Sequence, residues 1–88
     1  MTERSFIIQN KLGMHARAAS LFVKTAEKFS CSVMMEKDGI EINAKSIMGI
    51  LMLAAPLGSE IRVTTSGPDE AECMEALAEV INNKFGEE

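Results

Sequence analysis

Two adjacent residues, Asp38 and Gly39, constrain the architecture of this chain more than any others. Both tolerate positive φ, and they separate two runs of strand-forming residues, 32–37 and 40–43, so they specify a tight hairpin. Apolar spacing supplies the remaining elements. Residues 4–9, RSFIIQ, read as a first strand, and residues 60–66 alternate Ile61, Val63 and Thr65 against Arg62 and Thr64 as a fourth. From Ala16 to Phe29 the residues Ala19, Phe22, Val23, Ala26 and Phe29 recur at helical spacing, with Lys24, Glu27 and Lys28 on the other side. A short helix over 47–53 follows Ser46, which takes the N-cap position, and Pro56, Leu57 and Gly58 close it off. Gly67-Pro68 turns the chain into a last helix, capped by Asp69 and running to about Phe85, with Ala71, Met74, Leu77, Ala78, Ile81 and Phe85 as its buried stripe.

The resulting order is β-α-β-β-α-β-α. Its economical packing is α+β: an open-faced β-sandwich with a four-stranded antiparallel sheet and three helices on one face. Residues 1–88 form a single domain without linker, repeat or low-complexity segment. A chain of 88 residues, 47% hydrophobic, can build one core but buries only a modest share of its surface. Deep catalytic pockets are therefore not expected, and any chemistry belongs on the surface, with a partner supplying the rest of the site.

The formal net charge of −4 is unevenly spread. Residues 11–28 carry Lys11, Arg17, Lys24 and Lys28 against Glu27. Residues 60–88 carry Glu60, Asp69, Glu70, Glu72, Glu75, Glu79, Glu87 and Glu88 against Arg62 and Lys84. The basic stretch can steer an anionic ligand or an acidic partner. Four bases near one helix, with Tyr and Trp absent, argue against nucleic-acid binding. The longest apolar stretch, 47–57, contains Gly49 and Pro56 and falls short of a membrane span. The start, MTERSFIIQN, lacks signal-peptide character, and Cys31 and Cys73 read as free thiols of a cytoplasmic protein. No metal-ligand spacing is present, and no cofactor is implied.

His15, the single histidine, directly precedes a helix. Helix N–H groups without intrahelical partners surround that position, and with the helix dipole they make a ready anion site. The amides of Ala16 and Ala18 belong to it, and Arg17 adds a forked, charged donor suited to phosphate oxygens. A neutral imidazole there can attack a phosphoryl group, and the dianionic product meets the same donors, where catalysis is mainly positioning and electrostatics. From position alone, however, an ordinary capping histidine is the simpler account. Ser46 is likewise an ordinary cap unless modified, when a phosphate would add nearly two negative charges. Ile47, Met48, Leu51 and Met52 exceed what a two-turn helix can bury on one side, which suggests a partner contact; a sheet broad enough to cover them would make them core instead. Met14, beside His15 in a loop, and Met48 are candidates for adaptable contact residues.

The segments NKLGMHARAASLFVKTAEKF and INAKSIMGILML resemble, respectively, the phosphohistidine segment and the regulatory serine region of the HPr family, the small carriers of the bacterial phosphoenolpyruvate-dependent phosphotransferase system. The resemblance covers essentially the whole chain. It implies that His15 is the phosphoacceptor, on the ring nitrogen facing the helix, and that Arg17 stabilises the phosphate. It further implies that Ser46 is the residue an HPr kinase/phosphorylase modifies in many relatives. Ile47 and Met48 then match the apolar patch that docks enzyme I and EIIA-type acceptors, with Lys24 and Lys45 near its rim. The implied protein is a monomeric relay, not an independent enzyme. Ala18 departs from the family pattern, which usually has proline there. Two rivals stay open: the nitrogen-related carrier of the same family, favoured less by KSIMG, and a non-catalytic α+β module that uses His15 only as a cap.

Overall fold

Alternation along each strand sends every second side chain to one face of the sheet, and the apolar face dictates where helices must lie. The computed structural model describes residues 1–87; Glu88, counted above among the C-terminal acids, lies outside the described residues. The elements run β1 (Thr2–Ile7), α1 (Ala16–Ala26), β2 (Ser32–Lys37), β3 (Ile40–Asn43), α2 (Ile47–Leu53), β4 (Glu60–Ser66) and α3 (Glu70–Asn82), then a single 3-10 turn over Lys84–Gly86. The sheet order is β1-β4-β2-β3, antiparallel throughout. Its register sets Phe6 opposite Ile61, and Met35 opposite both Val63 and Ile42.

Phe6, Val33, Met35, Ile61 and Val63 face the helices and are buried. Onto them α1 packs Ala19, Phe22, Val23 and Ala26, α3 packs Cys73, Met74, Leu77 and Ile81, and α2 adds Ile50 and Leu53. Burial of a side chain the size of Phe22 contributes about 1.5–3 kcal/mol. The opposite sheet face is open and charged, with Arg62 bridging Glu3 at 3.5 Å and also pairing with Glu36. The fold is the open-faced α+β arrangement that the pattern implies.

Four boundaries differ from the sequence reading. β1 begins at Thr2, because Thr2 and Glu3 pair with Thr65 and Thr64, and it ends at Ile7, two residues before Gln9. Helix α1 stops at Ala26; Lys28 and Phe29 then donate to Thr25 and Ala26 carbonyls, tightening the last turn three residues back instead of four. Helix α3 ends at Asn82, and Phe85 lies beyond it, still buried, at φ 56°. Ala71 is exposed and not part of the buried stripe, whose first members are Cys73 and Met74.

Asp69 occupies the N-cap position of α3 without making a side-chain cap bond. Its carboxylate instead accepts from the Ser30 and Cys31 amides at 2.8 and 2.9 Å, tying α3 to the turn before β2. These amides, Ser30 first, hold its pKa below the usual value. Glu70 is held lower, at about 2, chiefly by the N-terminal ammonium, then by Thr2 and the Gly67 amide. Both cysteines are free and buried, and burial, with Cys31 alongside, pushes the Cys73 thiol up to about 12. A thiol so protonated is a poor nucleophile.

Candidate functional site

The loop between β1 and α1 is held against the loop that follows α2. Gly13 makes this possible: it sits at φ +67°, and a Cβ there would lie 2.5 Å from the Ala55 carbonyl oxygen and 2.8 Å from Pro56 Cα. Met14 N donates to that Ala55 oxygen at 2.9 Å, and His15 N donates to the Gly13 oxygen at 2.9 Å. Asn10, fully buried, donates its amide to the same Gly13 oxygen at 2.7 Å. The backbone presenting His15 is thus braced from two sides.

His15 is the N-cap of α1, with extended backbone at φ −79° and ψ 179°. Its Nδ1 accepts from the Arg17 backbone amide at 3.4 Å, a long bond. The side chain is 27% exposed, and its Nε2 meets the carboxylate of Glu87. The other carboxylate oxygen accepts from Asn10 at 3.0 Å. Glu87 therefore stays ionised below the usual carboxylate range, first through Asn10, then through His15, with the Arg17 charge adding to it.

Ala16, Arg17 and Ala18 fill the first turn of α1, where amides lack intrahelical partners and no acid is present. Ala16 and Arg17 are exposed, whereas the Ala18 side chain is fully buried. The guanidinium of Arg17 makes no ion pair among the described residues. An anion arriving at Nδ1 would meet free amides, a positive helix end and an available arginine. A shallow depression of about 230 Å³, lined by Leu12, Met14, His15 and residues 54–56, adjoins the ring. It is smaller than the clefts that ordinarily enclose drug-sized ligands. No group that could hold a metal occurs among the described residues.

Ser46 caps α2, its Oγ accepting from Gly49 N at 3.1 Å. Next to it Ile47, Met48 and Met52 are 40%, 69% and 78% exposed, and Leu51 is half-buried. The far end of α2 leads into Ala54 and Ala55 at the His15 depression. Ser46 lies at the opposite end of this seven-residue helix, which is ~10 Å long at 1.5 Å per residue.

Met14 and Lys45 are less open than contact residues need to be. Met14 is buried at 4% exposure, its backbone held by the Ala55 bond, and shows only an edge in the depression at His15. Lys45 is half-buried and donates its Nζ to the Phe29 carbonyl at 2.7 Å, closing the end of the first helical segment. Lys24 is exposed. Asn10 and Glu87 escaped the sequence reading altogether. Glu87 lies 72 residues from His15 and 77 from Asn10, and no local pattern signals either contact.

A family model described as "PTS HPr component phosphorylation site" matches residues 2–83. The phosphocarrier protein HPr of Cupriavidus necator is 48% identical over 87 residues, covering 99% of this chain and 98% of that one. The crystal structure of HPr-C-His from Thermoanaerobacter tengcongensis superposes with a TM-score of 0.97 at 49% identity, covering 100% and 99% of the two chains. A crystal structure of an HPr dimer from the same organism gives 0.80 at 48% identity, covering 99% and 100%. The chain is thus an α+β domain with the HPr fold, with an anion-receptive helix end on its surface. The chain belongs to the HPr family, the phosphocarriers of the phosphotransferase system.

Proposed function

We propose that this protein carries a phosphoryl group on His15, accepting it from enzyme I and passing it to EIIA-type acceptors. The observation that carries this reading is the placement of His15: at the N-cap of α1, with Nδ1 turned to the free amides of the first turn. Transfer moves the phosphoryl group directly between nucleophiles, so the protein needs no cofactor. Arg17 and the amides of Ala16 and Ala18 receive the phosphoryl oxygens. The depression at the histidine is shallow and open, so the protein works as a relay and its partners complete the site.

Docking falls to the exposed apolar residues Ile47 and Met48, with the exposed Lys24 as a charged contributor. Ser46, within that patch, is the regulatory position. Phosphate there sits at the end of α2 away from the His15 depression, and salt screens charges that are exposed to solvent. Its effect therefore falls on docking more than on the reactivity of His15. The working state is a cytoplasmic monomer, a reading supported by the two free thiols and by the need to keep the docking face open; the Thermoanaerobacter HPr dimer makes native mass worth recording alongside.

Incubation with phosphoenolpyruvate and enzyme I, read by intact mass, tests the proposal. One acid-labile phosphoryl gain is expected, absent in His15→Ala. A gain that persists in His15→Ala, or none with the cognate enzyme I, overturns it.

A further inference from the structure

Beyond α3 the chain reverses. Lys84, Phe85 and Gly86 take positive φ in succession, 55°, 56° and 76°, although two of them carry side chains that disfavour that region. Phe85 is buried and anchors the reversal, which delivers Glu87 onto His15. There the carboxylate divides its oxygens, one accepting from Asn10 and the other meeting His15 Nε2. Asn10 also holds the Gly13 carbonyl, and only the NH₂ end of an amide can donate to two acceptors, so its orientation is settled. A buried residue of the histidine's own loop therefore aims the carboxylate. Strained backbone of this kind persists where the surroundings over-determine it, commonly at functional sites.

We infer that Glu87 is a positioning residue for phosphoryl transfer at His15: it holds a proton on Nε2, directs the phosphoryl group to Nδ1, and keeps the phosphorylated ring protonated. The inference rests on the carrier reading above. An ionised carboxylate only accepts, so the ring nitrogen facing it must be an N–H. The lone pair is then left on Nδ1, which already faces the Arg17 amide. As that pair forms the N–P bond, the bond from phosphorus to the donor breaks and its electrons leave with the donor. No proton moves, and the positive charge that develops on the ring lies opposite Glu87. When an acceptor attacks phosphorus, the N–P electrons return to Nδ1 and the neutral Nε2–H ring is restored. Without the carboxylate the Nε2 proton can pass to water, which makes the ring a poorer leaving group. Nε2 also becomes free to compete for phosphorus.

Potassium phosphoramidate, which transfers its phosphoryl group to imidazole with loss of ammonia and needs no partner protein, separates these effects. The full chain and its Glu87→Ala and Glu87→Gln variants are phosphorylated with it, and the ring isomer is read by ³¹P and ¹⁵N NMR and the lifetime at neutral pH. Wild type gives the Nδ1 isomer. Glu87→Ala gives a several-fold larger share of the Nε2 isomer, and its remaining Nδ1 isomer hydrolyses several-fold more slowly. Glu87→Gln, whose amide oxygen still accepts from Nε2–H, keeps the Nδ1 isomer but shares the slower hydrolysis. Backbone NMR spectra of all three report that the fold is intact. Isomer ratio and lifetime unchanged in a folded Glu87→Ala overturn the positioning role and leave the carrier reading standing. A wild type that takes no phosphoryl group on His15 from either phosphoramidate or enzyme I removes both.

Discussion

Two helices in this protein begin in chemically parallel ways and serve different ends. Each has a capping side chain and no acid in its first turn. At α2 the cap is local and complete: Ser46 Oγ accepts from Gly49 N at 3.1 Å. At α1 the cap bond is long, 3.4 Å, and the capping ring is also engaged from the far end of the chain by Glu87. The surroundings differ in the same sense. Behind His15 lie the buried Met14, Ala18 and Ala19, whereas Ser46 is followed by the exposed Ile47 and Met48. Both helix ends supply the same positive field. One directs it at an imidazole nitrogen in a braced frame, and the other at an alcohol beside exposed apolar side chains. Division of labour between them is the physical content of the carrier reading.

Met48→Asp is the strongest attempt to break that division. Met48 is 69% exposed, so the fold should tolerate the change. Loss of a central apolar anchor in a docked interface costs ~2 kcal/mol or more, so phosphorylation by enzyme I should slow on the order of 30-fold. Phosphorylation by phosphoramidate, which needs no docking, should keep its rate. Equal slowing with both reagents would show that the two ends are not separate functions.

Stability measurements sharpen the contrast on a smaller scale. Removing a well-formed serine cap costs ~1 kcal/mol, so Ser46→Ala should lower the urea unfolding free energy by about that amount. His15→Ala should cost less, because its cap bond is long and its contact with Glu87 is a single, partly solvent-exposed pair worth roughly 1 kcal/mol or less. Equal costs would return His15 to the role of a plain structural cap.

How much of this was legible in the sequence depends on whether the signal was local. The hairpin at Asp38-Gly39, the cap at Ser46 and the alternation in 60–66 are short-range signals, and the strands and helix they mark begin and end where those residues place them. Where tertiary contact decides, the reading slipped. β1 gains Thr2 and Glu3 only because β4 is beside them, and α3 stops short because Phe85 is needed in the core. At the candidate site His15, Arg17 and the first turn could be picked out because they share one helical turn. The inward turn of Met14 depends on the loop carrying Ala55, and the capture of His15 by Glu87 on a reversal at the opposite end of the chain. Neither leaves a periodic or compositional trace.

The smallest effect, and the most selective, is expected from acid. Glu87 is held below its ordinary value of 4.5 by Asn10, His15 and the Arg17 charge. A group whose folded pKa is depressed contributes fully above its unfolded pKa, and the contribution fades as pH falls through the lower folded value. The contact with His15 should therefore be intact above pH 4.5 and weaken below it. No titratable group takes part in the cap at Ser46, so that end should not respond. Global unfolding is the wrong readout here, because Glu70, held at about 2, and Asp69 lose their own contacts in acid. Residue-resolved NMR separates them: amide shifts over 13–18 should show a low-pH step, which Glu87→Gln abolishes, while those over 46–49 stay still over the same pH range. Movement at both helix ends together would mean that acid reports on the whole fold, and that the carboxylate at His15 is not a local device.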